Sequence, residues 1–214
     1  LVEGICSIQI GDLGNITGFR LNVASMRNIQ MKEPARADPF SAPLRSIRDV
    51  LRFANRQEAG HRVRIQGVLL HQQPGKALYI RDETGCLPIA VDHIVPVNAS
   101  DLLTISGYVL PGDFAPLMDH ALIKRLRSSP PPEARPLPEG YAPTRSFHGD
   151  LVKVRAKLVD HWNSWDGQRF LLQHLSNAGT TFEALLENIP DQAGTPEIRN
   201  GSEMELTGIY QLQS

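Results

Sequence analysis

Residues 61–70, HRVRIQGVLL, decide the fold. Val63, Ile65 and Gly67 fall on one side of a period-two alternation and Arg62, Arg64 and Gln66 on the other, before the stretch becomes wholly apolar. This is the pattern of a half-buried strand that curls into a barrel. After HQQPGK, where Pro74-Gly75 supplies a turn, ALYIRD reads as a second strand. ETG then turns the chain into a third, CLPIAVD, in which Pro88 marks an edge or a bulge. DLLTISGYVL is the fourth, bending at Gly107, and LMDHALIKRL, beyond the PGDFAP loop, is the fifth. Five short strands with a longer connection between the third and the fourth predict a small Greek-key barrel of the OB type over residues 61–127.

Upstream, Leu44, Ile47, Val50, Leu51 and Phe53 stand near helical spacing with Ser41 as a candidate cap, which predicts one short amphipathic helix before the barrel and a first module over 41–127. Downstream, six prolines between Pro130 and Pro143 stiffen the chain and keep it out of a sheet interior. Residues 128–147 are therefore expected to be a spacer.

Beyond the spacer the pattern returns, and residues 148–214 are expected to form a second OB-like barrel. DLVKVRAKLVDHW alternates as HRVRIQGVLL does, with His161 matched to His71; QRFLLQHLS follows a WDG turn, and TTFEALLEN is a third strand. EMELTGIYQLQ then matches DLLTISGYVL, and the succession stops without a fifth strand. The amino end carries what is missing. GICSIQI has the Gly-Ile step of the fourth strand, Gly4 matching Gly208, and ITGFRLNVAS is an alternating run suited to a fifth. An open barrel exposes unpaired strand edges. Residues 1–40 are accordingly predicted to complete the second barrel, within one chain or by exchange between two copies in a strand-swapped homodimer. The chain begins on Leu1 rather than Met, which reads as a slice of a longer array of such repeats.

Composition narrows function mainly by exclusion. A formal net charge of −1 over 214 residues, with aromatics at 6%, argues against a dedicated nucleic-acid binder, although Arg62, Arg64, Lys153, Arg155 and Lys157 supply some basic charge on the strands. No apolar run approaches the length of a membrane-spanning helix. Cys6 and Cys86 read as two small buried hydrophobes.

There is no Gly-rich phosphate loop, HExxH, CxxC or GxSxG, and the seven histidines are scattered, so nothing calls for a cofactor, a metal or a catalytic centre. Asp82 is expected to order its turn through its own side chain. The candidate ligand or partner contacts are Asp113 and Phe114 in PGDFAP and Trp162 and Trp165 in HWNSWDGQ, because loops held by a rigid barrel carry binding and exposed aromatics offer contact area. Phe114 reads equally as a plug for the barrel bottom. The tryptophans read equally as packing against a neighbour.

HRVRIQGVLLHQQPGKALYIRDETGCLPI with DLLTISGYVLPGDFAPLMDHALIKRL, the PLRSIRDVLRFA lead-in and the GSEMELTGIY close resemble the tandem OB-like extracytoplasmic sensor region that precedes the membrane span of certain bacterial histidine kinases and diguanylate cyclases. In that family the GSxxxLxG strand is followed by a segment like GFRLNVASMRNIQM, which here stands at the amino end. The resemblance implies a periplasmic, non-enzymatic sensory or interaction module, attached to the membrane only through a parent chain and answering a small ligand or a periplasmic protein. It supplies no binding residues. The competing expectation is a cytoplasmic OB-fold protein for single-stranded nucleic acid.

Overall fold

Strand is the dominant element of the protein, as a computed structural model describes it over residues 3–10, 16–32, 34, 38–52, 61–112, 114–138, 144–175, 179–187 and 198–212. Phe53 and Asp113, named above, lie outside these residues. The chain divides into two units, Leu1–Ser41 and Ala42–Ser214.

In the first unit, β1 (Ile5–Ile10) and β2 (Ile16–Asn22) pair antiparallel as a two-stranded sheet of their own. Ile8 faces Phe19 and Cys6 faces Leu21 across the pair, so these four share one face. That face is not buried: every residue of β1 is exposed, Cys6 included, and Phe19 is 72% accessible. A 3-10 turn, Met26–Asn28, follows; Ser25 caps it by accepting the Arg27 N–H.

The second unit opens with α1 (Ile47–Arg52). Its cap is Ser46 and not Ser41: the Ser46 hydroxyl accepts the Asp49 N–H at 3.1 Å and donates to the Asp49 carboxylate at 2.7 Å. Ser41 is held in its own 3-10 turn by Asp38, and Leu44, expected on the helix, instead makes a parallel bridge to Arg64 and delays the helix start.

Next comes a closed barrel of β3 (Val63–Gln73), β4 (Ala77–Arg81), β5 (Cys86–Ala90), β6 (Asp101–Leu110) and β7 (Leu117–Ser128), in the circular order β3-β4-β5-β7-β6. Closure is made by one parallel pair, Ile89 with Met118, and by the antiparallel pairing of β3 with β6. The predicted alternation holds, since Ile65, Leu69, Ile80, Leu103, Ile105 and Met118 all fall to 0% exposure inside. Each such side chain contributes about 1.5–3 kcal/mol of burial. Gly67 lets the barrel curl: a Cβ there would stand 2.6 Å from Ile80 Cγ2. Asp82 orders the β4–β5 turn as expected, accepting the Thr84 and Gly85 N–H groups, and its other oxygen accepts the Ile47 N–H at 2.8 Å, tying α1 to the barrel.

The spacer is not wholly outside the sheets. Arg135–Pro136 forms β8, which pairs in parallel with the following strand, and the Leu137 N–H donates to the Lys153 carbonyl at 2.9 Å. Proline is tolerated there because β8 is a two-residue edge. After a 3-10 turn, Arg145–Phe147, come β9 (Leu151–Ser164), β10 (Gly167–His174), β11 (Thr181–Glu187) and β12 (Glu203–Ile209), in the order β11-β10-β9-β12.

The strand-by-strand repeat is present. β3 bulges at Leu70, with Leu69 opposite Ile80; β9 bulges at Val159, with Leu158 opposite Leu172. Val63 lies opposite Gly107, and Val152 opposite Gly208. This register corrects the matching of the histidines by one residue, for His71 opposite Tyr79 corresponds to Asp160 opposite Leu171. The second module differs from the expected barrel in its closure: β11 and β12 are the two ends of its strand order, and no fifth strand joins them among the described residues.

Candidate functional site

The closed barrel and the open sheet of the second unit meet along two seams. At the first, the Asp150 carboxylate, only 2% exposed, accepts from Arg81 Nη1 at 3.1 Å, from Arg135 Nη1 at 2.9 Å and from the Leu151 N–H at 2.8 Å. Arg81 ends β4, Arg135 lies on β8 and Asp150 enters β9, so one buried anion ties barrel, spacer and sheet together. Burial and the neighbouring Asp150 carboxylate push the Cys86 thiol far up, which keeps it a protonated, unreactive group. At the second seam the Gln73 amide donates to Glu187 at 2.7 Å, His71 stands 3.5 Å from the same carboxylate, and the Lys76 ammonium lies 5.8 Å from the Trp165 ring centroid.

Between the seams runs a groove of about 550 Å³. Its barrel wall includes Gln73, Tyr79 and Phe114; its sheet wall includes His148, Gln211 and Leu212. Phe114 reaches it from the β6–β7 loop, where Gly112 is required because a Cβ would stand 2.4 Å from the Ala115 carbonyl oxygen. The Phe114 ring lies 5.8 Å from that of His148. His148 follows the 3-10 turn, whose Thr144 cap accepts the Ser146 N–H, and buried Phe147 anchors that turn beneath the Arg135 guanidinium at 4.8 Å.

The protonation of His148 follows from its surroundings. The Leu212 N–H donates to Nδ1 at 3.2 Å, which requires an unprotonated Nδ1 and places the ring hydrogen on Nε2. Burial lowers the imidazole below its ordinary value, in agreement with that tautomer. Opposite, the Gln211 side-chain amide donates to Tyr79 Oη, and burial raises the Tyr79 phenol, so it stays neutral. The groove thus offers an aromatic face, aliphatic floor and neutral hydrogen-bonding groups. It suits a small, partly apolar molecule.

Of the residues proposed from sequence, Phe114 alone is placed on this groove; Asp113 lies outside the described residues. Trp165 is 87% exposed at the β9–β10 turn and Trp162 is 41% exposed opposite Arg169, and neither lines the groove. Tyr79, His148 and Gln211 were not legible as a site, because they come from three distant places in the chain and are brought together only by docking of the two modules. Among the described residues no three His, Cys, Asp or Glu side chains converge as a metal would require, and no helix is long and apolar enough to cross a membrane. Three of the five basic residues considered for nucleic acid are engaged locally: Lys153 with Glu205 at 3.3 Å, Arg155 with Glu203 at 3.9 Å, and Arg62 over the Tyr108 ring at 4.7 Å.

Comparison with known proteins gave no matching family model and no matching curated sequence.

Proposed function

We propose that this chain is a non-enzymatic sensory or interaction module in the periplasmic part of a bacterial signalling receptor, with a histidine kinase or diguanylate cyclase as the parent. The observation that carries the reading is the groove with walls from both β modules. A molecule held in the groove against both Phe114 and His148 touches the barrel and the sheet at once, so its binding favours one arrangement of the two over others by its difference in affinity for them. The location and the output domain come from the resemblance of the sequence. The groove, with its aromatic face and neutral hydrogen-bonding groups, supports a binding role.

An NMR-monitored titration of the whole chain with phenol, benzamide and indole as probes tests this. Saturable shifts centred on Phe114, His148 and Gln211, lost in Phe114→Ala, are expected. Absence of saturable shifts with all three would reject the groove as the binding site. Salt-dependent retention on single-stranded DNA would replace the reading with the nucleic-acid one.

A further inference from the structure

We propose that the open edge of β12 is closed by a second copy of this chain, whose residues 23–29 lie along β12 as the second half of β7 lies along β6. The inference is independent of the groove. It starts from three glycines.

Gly107, on β6, and Gly208, on β12, hold the same place in the two modules, opposite Val63 and Val152. A Cβ added to Gly107 would stand 2.6 Å from Met118 Cγ and 3.0 Å from the Asp119 carbonyl oxygen, because β7 crosses there. At Gly4, which the sequence matches to Gly208, a Cβ would stand 2.5 Å from the Asn22 carbonyl oxygen, because the chain leaving β2 crosses in the same way. At Gly208 an added Cβ meets nothing within 4 Å among the described residues. Among the described residues, the space that β7 fills at Gly107 is open at Gly208.

The core beneath tells the same story. In the barrel, Leu103 and Ile105 on β6 are 0% exposed, whereas their counterparts Met204 and Leu206 on β12 are only partly buried, as is Phe182 across the sheet. The missing cover is apolar. Among the described residues β1 and β2 pair with each other, and the proposed cover is the segment that follows β2 in another copy.

Past the level of Gly107, β7 continues from Leu122 to Ser128. Past the level of Gly4 the chain continues over 23–29 and presents Met26 at 79% and Ile29 at 42% exposure. Its 3-10 turn, Met26–Asn28, has no buried residue, and extending it exchanges the Asn28 and Ile29 N–H bonds within the turn and the Glu3 N–H bond to the Asn28 carbonyl for ladder bonds along β12. Reciprocal exchange between two copies then covers two apolar faces and two strand edges together.

Sedimentation velocity of the intact chain across micromolar to millimolar concentration tests the junction. Association from the 23.7 kDa copy to a species of two or more copies is expected. Gly208→Val should weaken it about tenfold or more while leaving the far-UV spectrum of the dilute chain unchanged, because the added side chain occupies space that is empty in one copy but required by the incoming backbone. Ile29→Asp, at an exposed position, should weaken it likewise and serves if the valine variant does not fold. A chain that remains a single copy throughout, or an association that Ile29→Asp and a folded Gly208→Val both leave intact, overturns the proposal.

Discussion

Leu69 and Leu158 hold one place in two renderings of the same strand pattern, each beside a bulge and each facing its partner on the next strand, at 0% and 1% exposure. Around Leu69 the sheet returns on itself through β7, and Ile65, Leu103, Ile105 and Met118 are fully buried. Around Leu158 the same first four strands stop, and the flanking Phe182, Leu186, Met204 and Leu206 are only partly buried. This sheet, those four strands and the two-residue β8, leaves its apolar face half covered. The difference teaches that the second module depends on neighbours for what the first obtains by closure, and its firmest neighbour is the barrel, through Asp150.

That dependence can be broken at the carboxylate. Asp150→Ala leaves Arg81, whose side chain is 19% exposed, facing an uncompensated site, and about 3–5 kcal/mol of stability should be lost. Both tryptophans of the chain lie in the open module, so tryptophan fluorescence reports that module alone. The fluorescence transition in urea should move to lower denaturant and separate from the far-UV transition; if the two stay coincident, the open sheet does not lean on the barrel through Asp150.

A smaller effect separates the two regions by pH. The imidazole of His148, at the junction, is held below its ordinary value by burial, so on acidification the unfolded chain takes the proton first, from about pH 6.5 downward. Stability at the junction is therefore complete above that pH, falls as pH drops through the window, and levels off below the folded value. In the barrel, Asp101 is held below the usual carboxylate range by the Asn98 N–H at 3.0 Å and by Arg125 at 2.8 Å. Its contribution is complete above about pH 4 and is lost only as pH falls through its depressed value. The fluorescence-detected Tm should decline between pH 7.5 and 5.5, and His148→Gln should flatten that slope. An unchanged slope in the variant would assign the pH response elsewhere.

The barrel was legible because alternation, Pro74-Gly75 and the Asp82 turn are local signals that a closed sheet preserves. The repeat was legible for the same reason, down to Gly107 and Gly208, each opposite a valine. What failed was single-residue phase. The bulges at Leu70 and Val159 leave no mark on the alternation, so His161 was matched one residue away from its structural counterpart, and the bridge of Leu44 to Arg64 displaced the helix cap from Ser41 to Ser46. The groove was legible only at Phe114, since its other walls depend on how Asp150 docks the modules, and a long-range ion pair has no period. Trp162 and Trp165 were conspicuous as residue types, but Trp165 lies at the seam near Lys76 and Trp162 faces Arg169 across the hairpin, and neither lines the groove.

The central claim is that the second module is the first barrel without its fifth strand, and paired valine substitutions measure it in the dilute, unassociated chain. Gly107→Val should cost about 1–3 kcal/mol in urea denaturation, because Met118 and the Asp119 carbonyl occupy the space, while Gly208→Val should change stability by less than about 0.5 kcal/mol or raise it. Equal losses at the two glycines would mean that something already covers β12, and would contradict the account.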